Sequence, residues 1–195
     1  MLPTILQQIE AAGYAVFTNG PYDLNLFGIR SAFMVPGSFD DLMGCAYQNE
    51  RGSWVVEYWQ ATTDPGLYYL EHPQNVKGCA ILCPGQYRGV YAIDKHAGAY
   101  DALCQRNGPV TVWRDNDRDK VLDHDVETDT GMFGINLHHA SYTGTSSVVG
   151  KWSAGCQVIA NIKDFERMMQ LARLQQQYHP TWKSYTYTLL EEAAL

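Results

Sequence analysis

The chain has no long apolar run, no run of basic residues and no internal repeat. No apolar stretch approaches the roughly twenty residues that a membrane-spanning helix needs, so we expect no membrane insertion. The 14 lysines and arginines are outnumbered by 21 aspartates and glutamates, which leaves a net charge of −7. This balance argues against nucleic acid and anionic membranes as partners. The oligomeric state is not readable from these features.

The first ten residues lack the features of a secretory signal peptide. They contain no basic n-region, and Gln and Glu stand where the apolar core of a signal would lie. The segment predicts an amphipathic helix instead. We therefore expect a protein made in the cytoplasm; the alternative is a chain from which a leader has been removed.

Cysteine is sparse and odd in number, at five residues. Without a signal peptide, free thiols are the expected state. An alternative is that four cysteines pair and leave Cys156 free. Another is a zinc site on Cys79 and Cys83 with His72 or His96, although residues 79–83 also read as a strand. The sequence thus predicts free thiols and no cofactor.

The composition favours a sheet-rich fold. Hydrophobic residues make up 46% of the chain, and 13 tyrosines and 5 tryptophans favour strands. We expect an α+β protein, mainly β, with a helix near each end at 2–12 and 163–178. Residues 1–50 are predicted to pack on the core formed by residues 51–195, and one compact unit is expected. The predicted strands are 14–18, 26–33, 53–62, 76–82, 86–93, 102–105, 110–114, 133–139, 157–162 and 184–190. The turn signal Cys83-Pro84-Gly85 predicts that strands 76–82 and 86–93 pair with each other.

The element Ser153-Ala154-Gly155-Cys156 is suited to hold a nucleophilic thiol. Glycine lets the backbone approach a substrate closely, and the N–H groups of Gly155 and Cys156 can face a developing oxyanion. His138 and His139 lie 18 and 17 residues upstream, a gap that fits a strand, a loop and a second strand. A histidine beside the thiol would lower its pKa and form a reactive ion pair.

Only one of the two histidines can face Cys156, because neighbouring side chains on a strand point to opposite faces. The other would be a packing residue or a pocket-rim residue. Taken singly, a cysteine after glycine is more often a small buried residue, and a His-His pair on a strand is more often structural. The order and spacing of all three favour catalysis.

Residues 134–141 (GINLHHAS) and 149–159 (VGKWSAGCQVI) resemble the catalytic domain of the L,D-transpeptidase family, of the YkuD type. That family carries a histidine followed by a small residue, then a gap, then Ser/Thr-x-Gly-Cys. Residues 62–66 (TTDPG) are weakly similar to its Thr-Pro-x-Gly element. The chain departs from the pattern at Ala154, where the family often has histidine, and at Val158, where it often has arginine or asparagine.

The resemblance implies an L,D-transpeptidase-like β-sandwich or barrel core and peptidoglycan stem peptides as substrate. By the family pattern, Cys156 attacks the carbonyl of an L,D peptide bond and His138 or His139 takes its proton. The apolar residue before it, Leu137, favours His138 as the base. The small residues Ala140 and Ser141 after His139 resemble the family pattern too, so His139 is the alternative base. Gly155 and Cys156 hold the oxyanion, Ser153 shapes the loop, and a backbone carbonyl orients the imidazole.

The fate of the thioester decides the activity. Water would make the protein a lytic L,D-peptidase of the endolysin kind, which we favour, and an amine would make it a transpeptidase that forms cross-links or exchanges D-amino acids. Trp152, Tyr142 and Ala154 are candidate substrate-binding residues. We expect action at the cell wall after lysis, by dedicated export or on a virion. The alternatives are a cysteine peptidase or acyltransferase on proteins and a non-catalytic binding or virion-structural protein.

An acidic run between predicted strands has the spacing of part of an EF-hand. Its aspartates fall at the first, third, fifth and ninth positions of a calcium loop: Asp115, Asp117, Asp119 and Asp123. Lys120 replaces the sixth-position glycine, and Val126 replaces the twelfth-position glutamate. A solvated turn is therefore favoured, with calcium as the alternative.

Overall fold

Eleven strands and three helices make up the computed structural model, which describes residues 1–195. The protein is α+β and mainly β, as the composition predicted. The strands are β1 (Asn25–Arg30), β2 (Asp41–Gln48), β3 (Trp54–Thr62), β4 (Cys79–Leu82), β5 (Gly85–His96), β6 (Tyr100–Gln105), β7 (Val110–Asp115), β8 (Thr128–Gly131), β9 (Leu137–His139), β10 (Gln157–Ile159) and β11 (Tyr185–Glu191).

Eight of these strands close into a barrel in the order β1-β11-β5-β6-β9-β10-β3-β2. The remaining three form a second sheet in the order β4-β7-β8. Within the barrel, β1 lies parallel to β11 and antiparallel to β2. Residues 1–50 thus supply two strands of the same barrel that the later residues complete.

The helices are α1 (Thr4–Ala11), α2 (Leu67–Glu71) and α3 (Ile162–Tyr178), and a 3-10 turn follows at Glu192–Ala194. The two predicted helices, α1 and α3, begin and end close to their predicted bounds. The side chain of Asn161 caps α3 by accepting a hydrogen bond from the N–H of Lys163. The short α2 was not predicted. No helix combines the length and apolar character needed to cross a bilayer.

The predicted strand at 14–18 is wrong. These residues lie beside the barrel without pairing to a strand. Side-chain amides take the place of a neighbouring backbone: the N–H of Ala15 donates to Gln86 Oε1 at 3.1 Å, and the N–H of Phe17 donates to Asn25 Oδ1 at 2.7 Å. The apolar pattern of the segment is real, but its hydrogen-bond partners are side chains.

The predicted strand pair 76–82 and 86–93 is also wrong, although both strands exist. β4 pairs with β7 in the second sheet, whereas β5 pairs with β6 and β11 in the barrel. Beyond β4, the N–H of Cys83 donates to the carbonyl of Thr111 at 3.0 Å, so the chain stays with β7 before it turns. The Cys83-Pro84-Gly85 turn therefore separates two sheets.

Candidate functional site

The parallel pair β9 and β10 carries the histidines and leads out of the cysteine loop. His138 stands opposite Val158, and His139 stands opposite Ile159. Ile159 belongs to the main core, whereas Val158 and Cys156 pack together in a separate cluster. Because side chains alternate along a strand, His138 projects from the same face as Val158 and Cys156.

The thiol of Cys156 is held by backbone groups. Its Sγ accepts a hydrogen bond from the N–H of Asn136 and donates one to the carbonyl of Gly134, each at 3.4 Å. Neither histidine is a hydrogen-bond partner of Sγ. Burial raises the pKa of the Cys156 thiol to about 11. The ion pair expected from the sequence is therefore absent in the resting state, because the thiol is desolvated and has no cation beside it.

The imidazole of His138 is also neutral. Its side chain is buried, with 3% of the residue exposed. Burial, and then the neighbouring His96, lower the pKa of His138 to about 3. Nδ1 lies 2.8 Å from the carbonyl oxygen of His139 and 3.3 Å from the hydroxyl oxygen of Tyr100. A carbonyl can only accept, so Nδ1 carries the proton and Nε2 keeps the lone pair that a general base needs.

Three residues around His138 were missed from the sequence: Tyr100, whose hydroxyl lies at Nδ1, His96 and Asn136. The ring of His96 stacks on His138 with centroids 4.0 Å apart, and Asn136 Nδ2 lies 3.0 Å from His96 Nδ1. Asn136 Oδ1 accepts from the buried N–H of Gln105 at 2.9 Å. Asn136 precedes His138 by two positions, so strand alternation would have placed it on this face. No sequence signal connects His96, which comes from β5.

His139 lies on the opposite face, inside an aromatic cluster. Its ring centroid lies 4.2 Å from Tyr100, 4.9 Å from Tyr142 and 4.8 Å from Phe165. Its Nδ1 is buried without a hydrogen-bond partner. Burial lowers the pKa of His139. The surroundings of this side chain are those of a packing residue.

The loop before Cys156 depends on Ser153 and Gly155. The buried Ser153 Oγ accepts from the N–H of Gly155 at 3.1 Å and donates to the carbonyl of Cys156 at 2.8 Å. Gly155 has a φ of +122°, and a Cβ there would lie 2.5 Å from the carbonyl oxygen of Ala80. Since Ser153 occupies the N–H of Gly155, the expected pair of oxyanion donors is reduced in this state to the N–H of Cys156.

A cavity of about 320 Å³ opens beside this loop. Ala154 and Ile135 line it, and Ile135 lies between the two residues that contact Sγ. The charged residue of its lining is Arg114, which forms an ion pair with Asp129 at 3.2 Å. Of the expected substrate residues, Ala154 is in this lining. Tyr142 and Trp152 lie at the surface outside it, 64% and 42% exposed. The remaining lining residues are Tyr69, Gln74, Asn75, Gly78, Cys79, Ala80, Met132 and Phe133.

The zinc alternative is not supported by the positions of its residues. All five cysteines are free, and neither Cys79 nor Cys83 falls in a cluster of metal-ligating side chains. His96 lies against His138. The metal-ligating side chains that do lie close together are Asp115, Asp117 and Asp123. Asp119, the fourth aspartate of the calcium alternative, is not part of this cluster.

The site therefore combines a desolvated thiol on a half-buried residue, a neutral imidazole with a fixed tautomer, and an adjoining cavity. This set is suited to attack on an acyl carbon with proton transfer to the imidazole during the attack. Comparison with known proteins finds no matching family model, curated protein or solved structure. Any assignment of function rests on the sequence motif and on this geometry.

Proposed function

We propose that the protein is a thiol enzyme that cleaves L,D peptide bonds of peptidoglycan stem peptides through a thioester on Cys156. The observation that carries the proposal is that Cys156, which directly precedes β10, lies on the same face of the parallel pair β9 and β10 as His138. The imidazole is oriented by a backbone carbonyl, as the resemblance to L,D-transpeptidases implies. We further propose that residues 51–195, which complete the barrel that β1 and β2 begin, correspond to the catalytic domain of that family.

In the proposed first step, Cys156 Sγ turns from the carbonyl of Gly134 and attacks the carbonyl carbon of the scissile bond. The thiol proton passes to His138 Nε2, and the N–H of Cys156 donates to the oxyanion. Collapse breaks the C–N bond, and the imidazolium returns the proton to the departing amine. Because thiol and imidazole both start neutral, proton transfer accompanies C–S bond formation.

In the second step, an acceptor breaks the C–S bond. Water attacks the thioester, loses its proton to His138 and releases a carboxylic acid, and the thiol regains that proton. An amine acceptor in place of water gives transpeptidation or D-amino-acid exchange. We place hydrolysis in a lytic role first, since the residue Cys156 is half-buried and its loop borders a cavity through Ala154, by which water can reach a thioester.

The test is a mass-spectrometric digest of defined stem tetrapeptides and cross-linked muropeptides. Wild-type protein is expected to release a terminal D-residue or to open a cross-link. Cys156→Ala is expected to be inactive, and Cys83→Ala, which removes another partly buried thiol, is the matched control and retains activity. If new cross-links or exchanged D-residues appear instead, the enzyme is a transpeptidase and not a hydrolase. Equal turnover in Cys156→Ala and wild type would refute the proposal.

A non-catalytic binding protein that keeps the same fold is the second candidate. The raised pKa of the Cys156 thiol favours it, and so do the departures from the family pattern at Ala154 and Val158. This candidate predicts that muropeptides bind, as measured by calorimetry, without product and without a covalent adduct. Binding that is equal in wild type and Cys156→Ala, with no turnover in either, would establish it.

A further inference from the structure

The segment that follows β7 gathers three carboxylates at the edge of the second sheet. Asp115 is the last residue of β7, and the loop after it returns so that the N–H of Asp123 donates to Asp115 Oδ2 at 3.1 Å. One carboxylate oxygen each from Asp115, Asp117 and Asp123 lies within 4.8 Å of the others. No lysine, arginine or histidine forms an ion pair with any of the three, so their mutual repulsion is uncompensated within the chain.

Asp115 supplies a second, independent observation. The residue is 1% exposed, and its Oδ1 is buried without a hydrogen-bond partner. A buried carboxylate oxygen without a partner is costly, because it has lost water and gained nothing in exchange. Oδ1 belongs to the same carboxylate as Oδ2, which accepts from the N–H of Asp123, so the unpartnered oxygen is on a carboxylate of the cluster.

We propose that Asp115, Asp117 and Asp123 bind a divalent cation, and that this cation is calcium. Every ligand atom is a carboxylate oxygen, the donor type of hard cations, and no sulfur or imidazole ligand that would favour zinc is in the group. Calcium takes six to eight oxygens in flexible geometry. The three carboxylates supply three to six, and the exposure of Asp117 leaves room for water ligands.

This site differs from the EF-hand that the spacing suggests. Asp119, the fifth-position ligand of such a loop, is outside the cluster, and its Oδ1 accepts instead from the N–H of Val121 at 2.6 Å. Asp117 Oδ1 likewise accepts from the N–H of Asp119 at 3.2 Å, so the distance to the other carboxylates, and not the turn bond, separates Asp117 from Asp119. The cation would join the end of a strand to its own returning loop.

The site adjoins the cavity beside Cys156. A Cβ on Gly78, which lines that cavity, would lie 2.2 Å from the carbonyl oxygen of Asp115. Arg114, the preceding residue, is the charged residue that lines the same cavity. A cation that holds Asp115 would therefore fix one edge of the cavity. The binding proposal itself does not depend on the catalytic proposal.

The test measures calcium binding to chelator-treated full-length protein by calorimetry and by thermal melting, with magnesium as a parallel titrant. We expect saturable calcium binding below about 1 mM and a rise in melting temperature. Asp117→Asn and Asp123→Asn are expected to weaken binding by roughly tenfold or more. Asp119→Asn removes the same charge from the same loop and is expected to bind as wild type does.

The exposed position of Asp117 makes Asp117→Asn the variant that keeps its fold, which circular dichroism verifies. The proposal would be overturned if wild type at about 1 mM calcium showed neither a calorimetric heat of binding nor a rise in melting temperature. So would equal weakening by Asp119→Asn and Asp117→Asn, because a diffuse charge effect would then explain the binding. Tighter binding of magnesium than of calcium would overturn the choice of cation.

Discussion

Two histidines adjacent in the chain lie in opposite surroundings on the two faces of β9. His138 has a backbone carbonyl on Nδ1, a stacked imidazole beside it and Cys156 on its face. His139 has three aromatic rings around it and an unpaired Nδ1. Burial lowers the pKa of both, so charge does not distinguish them. Partner geometry, and not charge, therefore distinguishes the two side chains, and the fixed tautomer of His138 is the reason for proposing it as the base.

Replacing each histidine by glutamine is expected to give the largest contrast. His138→Gln removes the proposed base, and kcat/KM on muropeptides is expected to fall by about 10²- to 10⁴-fold. His139→Gln is expected to lose less than about tenfold, because its ring only packs. The measurement is steady-state kinetics with circular dichroism as the folding control. Equal losses would remove the distinction between the two faces.

The pH dependence of thiol alkylation tests the neutral resting state on the His138 face. Because the thiolate reacts and the pKa of Cys156 is about 11, the fraction of thiolate rises about tenfold per pH unit below that value. Alkylation of Cys156 by iodoacetamide, read by peptide mapping, is expected to speed up about 100-fold between about pH 7 and pH 9. A rate that is already high and flat near neutral pH would show an ion pair with His138.

Gly155→Ala is expected to destabilise the protein through the loop that precedes Cys156. The new Cβ meets the carbonyl of Ala80 at 2.5 Å and the backbone has a φ of +122°, so the free energy of unfolding should drop by about 3 kcal/mol. Gly134→Ala is the control, since Gly134 also has a positive φ but open space around it. Its loss is expected to be about 1 kcal/mol. Urea unfolding measures both, and equal losses would contradict the tight contact with Ala80.

His139→Phe is expected to have the smallest effect. Phenylalanine keeps a ring among Tyr100, Tyr142 and Phe165 and removes the unpaired buried Nδ1. The protein is therefore expected to unfold with an unchanged free energy or with a gain of up to about 1 kcal/mol. Urea unfolding and the muropeptide assay together give the result. Loss of activity with intact stability would mean that His139 has a chemical role.

Local signals in the sequence predicted the elements that carry the site. The helical period placed α3, and strand alternation was enough to separate His138 from His139. The predictions that failed concern residues whose partners come from other parts of the chain. His96 reaches the site from β5, a partnership that no spacing reveals, and residues 14–18 are tied to the side chains of Asn25 and Gln86. The neutral state of Cys156 follows from burial, which a motif does not report.

The same limit applies to the sheet pairing of β4 and β5. The turn Cys83-Pro84-Gly85 is a valid turn signal, but a turn fixes neither strand's partner. Pairing with β7 on one side and with β6 and β11 on the other comes from residues downstream of the turn. Element type was therefore predictable for this pair, and sheet membership was not.

The most direct test of the proposed mechanism is whether Cys156 becomes acylated. Wild-type protein is mixed with a stem tetrapeptide, quenched in acid and mapped by mass spectrometry. We expect an acyl adduct on the peptide that contains Cys156, present in wild type, absent in Cys156→Ala and longer-lived in His138→Gln because deacylation also needs the base. A folded wild-type protein that turns over the substrate without any adduct at Cys156, or with the adduct on another residue, would contradict the mechanism.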